Sequence, residues 1–305
     1  MQQGPIGFIG LGNMGSRMSK CLLEKGRSVI GFDARVETVR ASGVTPAASI
    51  GAIAEQANLI LLSLPDSRAV EAVTLGPDGL LAHARPGLTI VDLSTSSPAS
   101  TRMIHDHMAA AGVIYLDAGI SGGAAAAETG TLTLMVGGDK QRLDAVDDVL
   151  RCFATNIFHL GEVGTGHTAK VLNNFLNAVT LAATAEVMVA GKKAGLDLSV
   201  LLDVLNASSG ASYASAKRFP KIIHGDYMKG GLSNTLMMKD VTLYSQLMGQ
   251  LGMTSLNATG PTASFGLAIA LGYADEISNK VVDAIGDISG GVRLHANNRG
   301  EAKTK

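Results

Sequence analysis

The sequence predicts an α/β protein in which a doubly wound parallel-sheet domain is followed by an all-helical C-terminal domain. Short apolar runs alternate with helical patterns through the first half of the chain. A glycine-rich turn directly follows the first run, and after about residue 167 the strand-like runs give way to helical periodicity. Strands that alternate with helices build a parallel sheet covered by helices on both faces.

The predicted strands are short and almost entirely apolar. Unbroken apolar runs are typical of strands that are buried on both faces, as in a parallel sheet. A helical pattern from Met14 to Glu24 separates the first two runs. We therefore assign residues 1–162 to a doubly wound, Rossmann-type domain. The runs are 6–9, 28–32, 59–64, 89–93, 113–116 and 132–136.

The second half carries helical periodicity and no convincing strand. A chain of 305 residues exceeds the usual size of one domain, so a second domain is expected. We assign residues 163–298 to this helical domain, with the glycine-rich segment 161–166 as the hinge and the polar segment 297–305 frayed. The predicted helices are 167–195, 199–206, 236–249 and 261–272.

The composition excludes several classes of function. The formal net charge of -1 provides no basic field, so nucleic acid is not an expected partner. The two cysteines, Cys21 and Cys152, and the seven scattered histidines form no cluster with metal-ligand spacing. We interpret the histidines as structural or solvated, and the low cysteine content as that of a protein in a reducing, cytoplasmic compartment.

Neither secretion nor membrane insertion is expected. Residues 1–5 lead directly into the first strand, without the basic and apolar regions of a signal peptide. The apolar stretches 179–190 and 262–274 are too short or too interrupted to span a bilayer. We therefore expect a soluble cytoplasmic protein with no membrane partner.

The glycine turn after the first strand predicts a dinucleotide site. Gly10 allows a tight turn, Gly12 lets the backbone approach a pyrophosphate, and Gly15 lets the next helix pack on the strand. The N-terminus of that helix offers N–H groups and a partial positive charge to the phosphates. The alternative is a glycine turn without a ligand. The turn comprises Gly10, Leu11, Gly12, Asn13, Met14 and Gly15.

The end of the second strand favours NAD as the cofactor. Asp33 is placed to accept hydrogen bonds from the adenosine ribose, and its charge would repel a 2′-phosphate. Arg35, two residues later, could instead bind that phosphate, so NADP stays possible. The alternative for Asp33 is a solvated carboxylate in a turn.

Four blocks, taken together, resemble the β-hydroxyacid dehydrogenases, the family that includes 3-hydroxyisobutyrate dehydrogenase and 2-hydroxy-3-oxopropionate reductase. The blocks follow the family's order and spacing over nearly the whole chain. They are 7–15, 117–123 with 130–132, 161–170 with 173–174, and 239–243. The resemblance implies an oxidoreductase that transfers a hydride between NAD(P) and a small 3-hydroxy acid or its semialdehyde.

The resemblance also makes Lys170 the catalytic residue. Oxidation of a hydroxy acid needs a base for the hydroxyl proton, and reduction needs the same group as an acid. Burial beside a cationic nicotinamide is expected to lower the pKa of this lysine toward roughly 7 to 8. Asn174, four residues later on the same predicted helix face, would bind the substrate hydroxyl or carboxylate. Without the flanking block, Lys170 would be interpreted as an exposed helix lysine.

Other site residues are proposed with simple structural alternatives. Ser121, Gly122 and Gly123 would bind the substrate carboxylate, or else form an ordinary loop. By resemblance, Lys239 reaches the nicotinamide and the substrate. Asp240 cannot share its helix face and is expected to hold a backbone or domain contact near the cofactor. At the ends of strands, where the cofactor crosses the sheet, lie Leu64, Pro65 and Thr95.

Some positions depart from related families. Ala34 stands where the family often has an arginine that serves NADP, and Ala126 stands where it often has glycine. Asn173 replaces the histidine of the related 6-phosphogluconate dehydrogenases, and imine reductases usually lack the lysine present at Lys170.

The sequence therefore predicts an NAD(P)-dependent hydroxyacid dehydrogenase whose active site lies in the cleft between the domains. Because relatives associate through the helical domain, a homodimer or homotetramer is expected. The alternatives are a nicotinamide-binding sensor without turnover and an imine reductase-like enzyme.

Overall fold

Within residues 4–228 and 230–295, which the computed structural model describes, eight strands form one sheet. The expected frayed segment 297–305 and the expected domain end at 298 lie outside these ranges. The strands are β1 (Ile6–Ile9), β2 (Val29–Phe32), β3 (Thr45–Pro46), β4 (Leu59–Leu62), β5 (Thr89–Asp92), β6 (Ile114–Ser121), β7 (Leu132–Gly137) and β8 (Ala154–His159).

The strand order confirms the doubly wound sheet. The order is β3-β2-β1-β4-β5-β6-β7-β8, and the pairs from β3 to β6 are all parallel. The chain leaves β1 in one direction to form β2 and β3, and returns to its other side to form β4. Ligands of such sheets bind outside the carboxyl ends of the strands, where the order reverses.

One pair of strands departs from the parallel pattern that the apolar runs predicted. Strands β6 and β7 are antiparallel, with Ala118 opposite Val136. The connection between them, residues 122–131, holds only a short helix. A parallel return needs a crossover of about a dozen residues or more, whereas an antiparallel one does not. A continuous apolar run indicates that a strand is buried on both faces, but it does not indicate the direction in which the strand runs.

Seven α-helices of the first half surround the sheet in the described part of the chain, and two apolar clusters fill the space between helices and sheet. Phe8 and Leu61 belong to one cluster, and Ile9 and Leu62, their neighbours along the strands, belong to the other. Successive side chains of a strand point to opposite faces, so both faces are covered. The helices are α1 (Asn13–Glu24), α2 (Val36–Ser42), α3 (Ile50–Gln56), α4 (Ser67–Leu75), α5 (Pro98–Ala110), α6 (Gly123–Thr129) and α7 (Lys140–Leu150).

The chain divides into two compact units, Met1–Val171 and Leu172–Lys305. The division falls inside a long helix, α8 (Thr165–Lys193), whose first residues belong to the first unit. The domain boundary predicted from the sequence lies just before this helix, between residues 162 and 163.

The second unit is helical in its described residues, as the sequence predicted. It has its own apolar core, which includes the fully buried Phe219 and Phe265. Residues Ser233 and Ile277 form an isolated antiparallel bridge. Besides most of α8, the unit contains α9 (Leu198–Asn206), α10 (Phe219–Ile222), α11 (Asn234–Gln250), α12 (Thr259–Ala268) and α13 (Val281–Ile288), with π-helical turns at Ala214–Arg218 and Ile269–Tyr273.

Helix α8 alone, among the described residues, is long and apolar enough to cross a membrane by length and composition. The apolar stretch 179–190 is part of this helix, which has 29 residues in all. The central helix of a folded core passes the same test. Of the most apolar 18-residue window, 56% is buried inside the protein, including Ala178, Leu181, Ala185 and Met188. This three- and four-residue spacing is that of a helix facing a core.

Candidate functional site

The carboxyl edge of the sheet in the first unit brings many of the predicted site residues together. Because β1, β2, β4, β5 and β6 are parallel, the segments that follow them lie at one edge. Hydrogen bonds connect these segments: the Gly10 N–H donates to the Phe32 carbonyl, and the Leu64 N–H donates to Ser94 Oγ, both at 2.9 Å. The residues at this edge are the glycine turn, Asp33, Arg35, Leu64, Pro65, Thr95 and Ser121.

The glycine turn is closed on its inner side and open on its outer side. Gly10 has a φ of 89°, and a Cβ atom there would lie 2.3 Å from the Ser63 carbonyl oxygen. A Cβ atom on Gly15 would lie 1.9 Å from the Gly10 oxygen, so helix α1 packs tightly on the turn. Among the described residues, a Cβ atom on Gly12 would meet nothing within 4 Å except Arg35 Nη2, at 3.9 Å. The backbone is therefore accessible at Gly12, where α1 begins and where the residues fit a pyrophosphate.

The carboxylate of Asp33 holds this turn in place. Its Oδ2 accepts a hydrogen bond from the Leu11 N–H at 2.8 Å, and its Oδ1 accepts one from the Arg35 N–H at 2.9 Å. The Arg35 Nε lies 3.9 Å from Oδ1, and the arginine side chain is mostly exposed. Since a carboxylate has about four acceptor positions, Asp33 keeps capacity for the two hydroxyls of a ribose.

The loop after β6 lies near the glycine turn, because the helices that follow these two segments, α6 and α1, contact each other. The thiol of Cys21 on α1 donates to the Ala127 carbonyl of α6 at 3.3 Å. Gly122 and Gly123 have φ values of 125° and 70°, which favour glycine. A Cβ atom on Gly122 would lie 2.6 Å from the Ala126 methyl group. The methyl group of Ala126 therefore reduces the space beside Gly122. At Gly123 such an atom would meet no described residue within 4 Å.

Lys170 belongs to the first unit and lies against strand β6. It is only 7% exposed. A Cβ atom on Gly119 would lie 2.4 Å from the Lys170 Cβ, and one on Gly166 would lie 2.3 Å from the Met135 oxygen. Glycines on both surfaces thus let the start of α8 approach the sheet closely. Ser121 lies two residues after Gly119 and therefore shares its face of the strand.

A buried polar network anchors the beginning of helix α8. The Asp117 carboxylate is fully buried and accepts hydrogen bonds from the N–H groups of Gly164 and His167, both at 2.7 Å. A carboxylate at a helix N-terminus satisfies free N–H groups and interacts favourably with the helix dipole. The His167 ring is also buried. Its Nδ1 lies 2.7 Å from Thr101 Oγ1, and its Nε2 lies 3.2 Å from the backbone carbonyl oxygen of Asp92.

Asp92 extends this network beneath the carboxyl edge. It accepts hydrogen bonds from the Tyr115 hydroxyl at 2.9 Å and from the Ser94 N–H at 3.0 Å. Burial and the Asp92 carboxylate raise the pKa of the Tyr115 hydroxyl well above its ordinary value. Neither Asp92 nor Asp117 was predicted from the sequence to have a role of its own. Their signal was an acidic residue inside or at the end of a buried apolar run, which needs a partner.

The remaining predicted residues lie in the second unit. Asn174 is buried, and its Nδ2 donates to Asp240 Oδ2 at 2.6 Å. The Lys239 Nζ lies 3.4 Å from Asp240 Oδ1. The carboxylate of Asp240 thus contacts the side chains of Asn174 and Lys239, and its expected backbone or domain contact stays a prediction. The residue points into the unit, and the long lysine side chain bends back to reach it. Because a carboxylate only accepts, Asp240 fixes the orientation of the Asn174 amide.

Residues 4–228 and 230–295 contain no group of three or more His, Cys, Asp or Glu side chains that could hold a metal ion. Cys21 and Cys152 are free, buried thiols.

Comparisons with known proteins cover both units. Residues 5–161 match the family model described as the NAD binding domain of 6-phosphogluconate dehydrogenase. Residues 164–283 match the model described as NAD-binding of NADP-dependent 3-hydroxyisobutyrate dehydrogenase. Both matches support cofactor binding, and NADP stays possible beside NAD.

Individual relatives are hydroxyacid dehydrogenases by name. The chain is 37% identical to 2-(hydroxymethyl)glutarate dehydrogenase of Eubacterium barkeri, over 88% of this chain and 91% of that protein. It is 36% identical to an NAD-dependent L-serine dehydrogenase of Pseudomonas aeruginosa, over 88% of this chain and 94% of that protein. The structure of 3-hydroxyisobutyrate dehydrogenase from Mycobacterium tuberculosis with L-serine superposes with a TM-score of 0.83 at 33% identity, covering 94% of this chain and 99% of that one.

The family models together extend over most of the chain, and the relatives exceed 30% identity over most of both lengths. These findings support an enzyme that carries out NAD-linked oxidation and reduction of hydroxy acids. The chain belongs to the β-hydroxyacid dehydrogenase family.

Proposed function

We propose that the enzyme transfers a hydride between NAD and a small 3-hydroxy acid or its semialdehyde, with Lys170 as the general acid and base. The supporting observation is the position of Lys170 in the first unit. This buried lysine is held against Gly119, two residues before the Ser121 loop and at the edge that carries the glycine turn. A proton-transfer group at that edge is what hydride transfer to a bound nicotinamide requires.

Oxidation removes a proton and a hydride from the substrate, and each has its own acceptor. In oxidation, the substrate hydroxyl gives its proton to the Lys170 Nζ as the carbon-bound hydrogen leaves with its electron pair. Bound NAD supplies the acceptor for that hydride. In reduction, a hydride would return to the carbonyl carbon, and the Lys170 ammonium gives a proton to the carbonyl oxygen.

The substrate carboxylate is proposed to bind the loop after β6. Ser121 supplies a hydroxyl, and Gly122 and Gly123 supply backbone N–H groups without side chains above them. The Ala126 methyl beside Gly122 restricts the room there, which favours a small substituent near the carboxylate. In the second unit, Asn174 and Lys239 are proposed to bind the substrate, and Lys239 and Asp240 to serve the nicotinamide end of the cofactor. The Asp240 contact that orients the Asn174 amide supports this assignment.

Homo-oligomerisation, as a dimer or tetramer in the cytoplasm, is part of the same proposal. The second unit exposes large apolar side chains, including Leu176, Leu256 and Ile288. Light scattering during size-exclusion chromatography would report the mass directly, and a monomer at micromolar concentration would contradict this part.

The function is tested with a panel of 3-hydroxy acids and NAD or NADP, by the absorbance of the reduced cofactor. Lys170→Met should lower kcat by about 10² to 10⁴, the usual contribution of general acid–base catalysis. Lys193→Met removes an exposed lysine from the same helix and should leave kcat unchanged. Calorimetry should show that both variants bind NAD like the wild-type protein. Full activity of Lys170→Met would refute the mechanism, and cofactor binding without any turnover would favour the sensor.

A further inference from the structure

An arginine of the second unit lies against neutral amide oxygens where a carboxylate is the usual partner. Arg218 ends the π-helical turn Ala214–Arg218. Its Nη1 donates to Asn279 Oδ1 and its Nη2 donates to Asn177 Oδ1, both at 2.9 Å. No ion pair joins Arg218 to an acidic side chain of residues 4–228 and 230–295, and burial lowers its pKa.

Arg218 is partly buried, and the positive charge of its guanidinium has no acidic partner among the described residues. Arginine stays protonated in proteins, and a buried cation is unfavourable unless it is paired. The two asparagine oxygens hold the guanidinium in a defined orientation but bring no negative charge. A guanidinium has five N–H donors, and the described hydrogen bonds use two of its nitrogens. The remaining donors suit an incoming carboxylate, which arginine binds in a bidentate manner.

The exposed aromatic ring and the π-helical turn around Arg218 are more typical of a binding site than of a structural contact. The Tyr213 ring centroid lies 5.7 Å from the guanidinium carbon, and this ring is 59% exposed. An aromatic side chain at the surface therefore covers one side of the cation and borders the solvent. Short π-helical segments, such as the one that carries Arg218, occur frequently at functional sites.

Arg218 is connected to the helix that carries the proposed substrate contacts. Its partner Asn177 follows Asn174 by three residues on α8, so the two amides share one helix face. Three residues correspond to about 4.5 Å along a helix axis. That separation is compatible with a substrate whose two polar groups are joined by a short carbon chain.

We propose that Arg218, oriented by Asn177 and Asn279, binds a second anionic group of the substrate, so that the enzyme prefers hydroxy dicarboxylic acids to hydroxy monocarboxylic acids. The inference rests on the proposed function, since it places this subsite beside Asn174. It names Arg218 as the residue that determines specificity for the distal group.

The test uses two substrates that differ only in that group. 2-(Hydroxymethyl)glutarate and 2-(hydroxymethyl)pentanoate share the reacting end, and a terminal carboxylate of the first is replaced by a methyl group in the second. Wild-type enzyme should show the higher kcat/KM with the diacid. Arg218→Gln should lower the ratio of the two kcat/KM values by about 10², because a hydrogen-bonded ion pair is lost. Arg218→Lys, which keeps the charge without the planar fork, should give an intermediate ratio.

Lys217→Gln is the matched control, because it removes the neighbouring, exposed charge of the same turn. This variant should keep the wild-type ratio. An equal loss for both substrates in Arg218→Gln would indicate a structural role and overturn the proposal. So would a wild-type enzyme that does not distinguish the two acids, an outcome that needs no variant.

Binding without turnover separates this inference from the proposed function. Calorimetry with glutarate and pentanoate compares a dicarboxylate and a monocarboxylate of equal length. If no hydroxy acid is turned over but Arg218 is required for tighter binding of glutarate, the subsite stands and the proposed reaction fails. If Lys170-dependent turnover is found without preference for the diacids, the reaction stands and the subsite fails.

Discussion

Gly119 and Lys170 are in such close contact that no side chain fits between them. A Cβ atom on Gly119 would lie 2.4 Å from the Lys170 Cβ and 3.0 Å from its Cγ. Real Cβ atoms do not approach other carbons so closely, because interiors are already packed without free space. The position of Lys170 over strand β6 therefore depends on the absence of a side chain at residue 119.

Gly119→Ala should displace Lys170 and lower kcat. The added methyl group forces the start of α8 away from the sheet, and misplacement of a reacting group by about 1 Å can cost about 10² in rate. We expect a 10- to 100-fold loss of kcat for hydroxy acid oxidation, measured by NADH absorbance, while calorimetry shows little change in NAD binding. Gly249→Ala is the control, since a Cβ atom there meets no described residue within 4 Å. Unchanged kcat in Gly119→Ala would contradict this account.

Asp117→Asn should weaken the anchor of α8. The wild-type carboxylate accepts from the Gly164 and His167 N–H groups at once, and the asparagine has a single acceptor oxygen. A buried N–H left without a partner costs about 1 to 3 kcal/mol. We expect a lower urea midpoint by circular dichroism, together with a lower kcat because Lys170 lies on the displaced helix.

Asp139→Asn provides the comparison for this variant. The Asp139 carboxylate caps α7 by accepting one exposed hydrogen bond from the Arg142 N–H, and asparagine caps helices equally well. Its midpoint and kcat should match the wild-type values. If both variants behave alike, Asp117 has no special role in holding the helix.

The two aspartates show what the sequence could predict and what it could not. The glycine turn, Asp33 and Ser121 follow strands directly, so their common edge follows from the strand pattern alone. The contact of Asp117 with α8 joins residues about 50 positions apart, and that of Asp92 with His167 joins more distant ones. Such pairings depend on how the helix packs on the sheet, which local periodicity does not determine.

The sheet itself shows the same limit. Six of the eight strands could be predicted because each contains a continuous run of apolar residues. Strand β3 has two exposed residues. In β8, at the edge of the sheet, one buried residue is followed by five that are exposed or only partly buried. Neither leaves an apolar run to detect. The Arg218 cluster was also missed, because two asparagines and an arginine at distant positions form no motif.

Asp33→Asn should shift the cofactor preference toward NADP. The carboxylate would repel a 2′-phosphate, and a unit charge at 4 Å is worth about 1 kcal/mol in water and about 4 kcal/mol near a protein surface. We expect the ratio of kcat/KM for NADP to that for NAD to rise about tenfold or more. Arg35→Gln should move the same ratio in the opposite direction, because the Arg35 Nη2 lies beside Gly12. An unchanged ratio in Asp33→Asn would mean that this carboxylate only supports the turn.

Alkaline pH should destabilise the second unit through Tyr273. Its hydroxyl donates to Asp287 Oδ2 at 2.9 Å, and burial followed by this hydrogen bond raises its pKa to about 12. An unfolded tyrosine loses its proton near pH 10, so between about pH 10 and 12 the folded state binds more protons than the unfolded state. The stabilisation is complete below pH 10 and is lost as the pH rises through 12.

Urea midpoints of the wild-type protein and Tyr273→Phe test this expectation. The difference in favour of the wild-type protein should be larger at about pH 9 than at about pH 11.5, because only the wild-type protein carries the shifted hydroxyl. Asp287→Asn removes the carboxylate acceptor and should bring the titration of Tyr273, followed by tyrosinate absorbance, closer to pH 10. A midpoint difference that is independent of pH would show that Tyr273 has the same pKa in both states, and would refute the assigned cause.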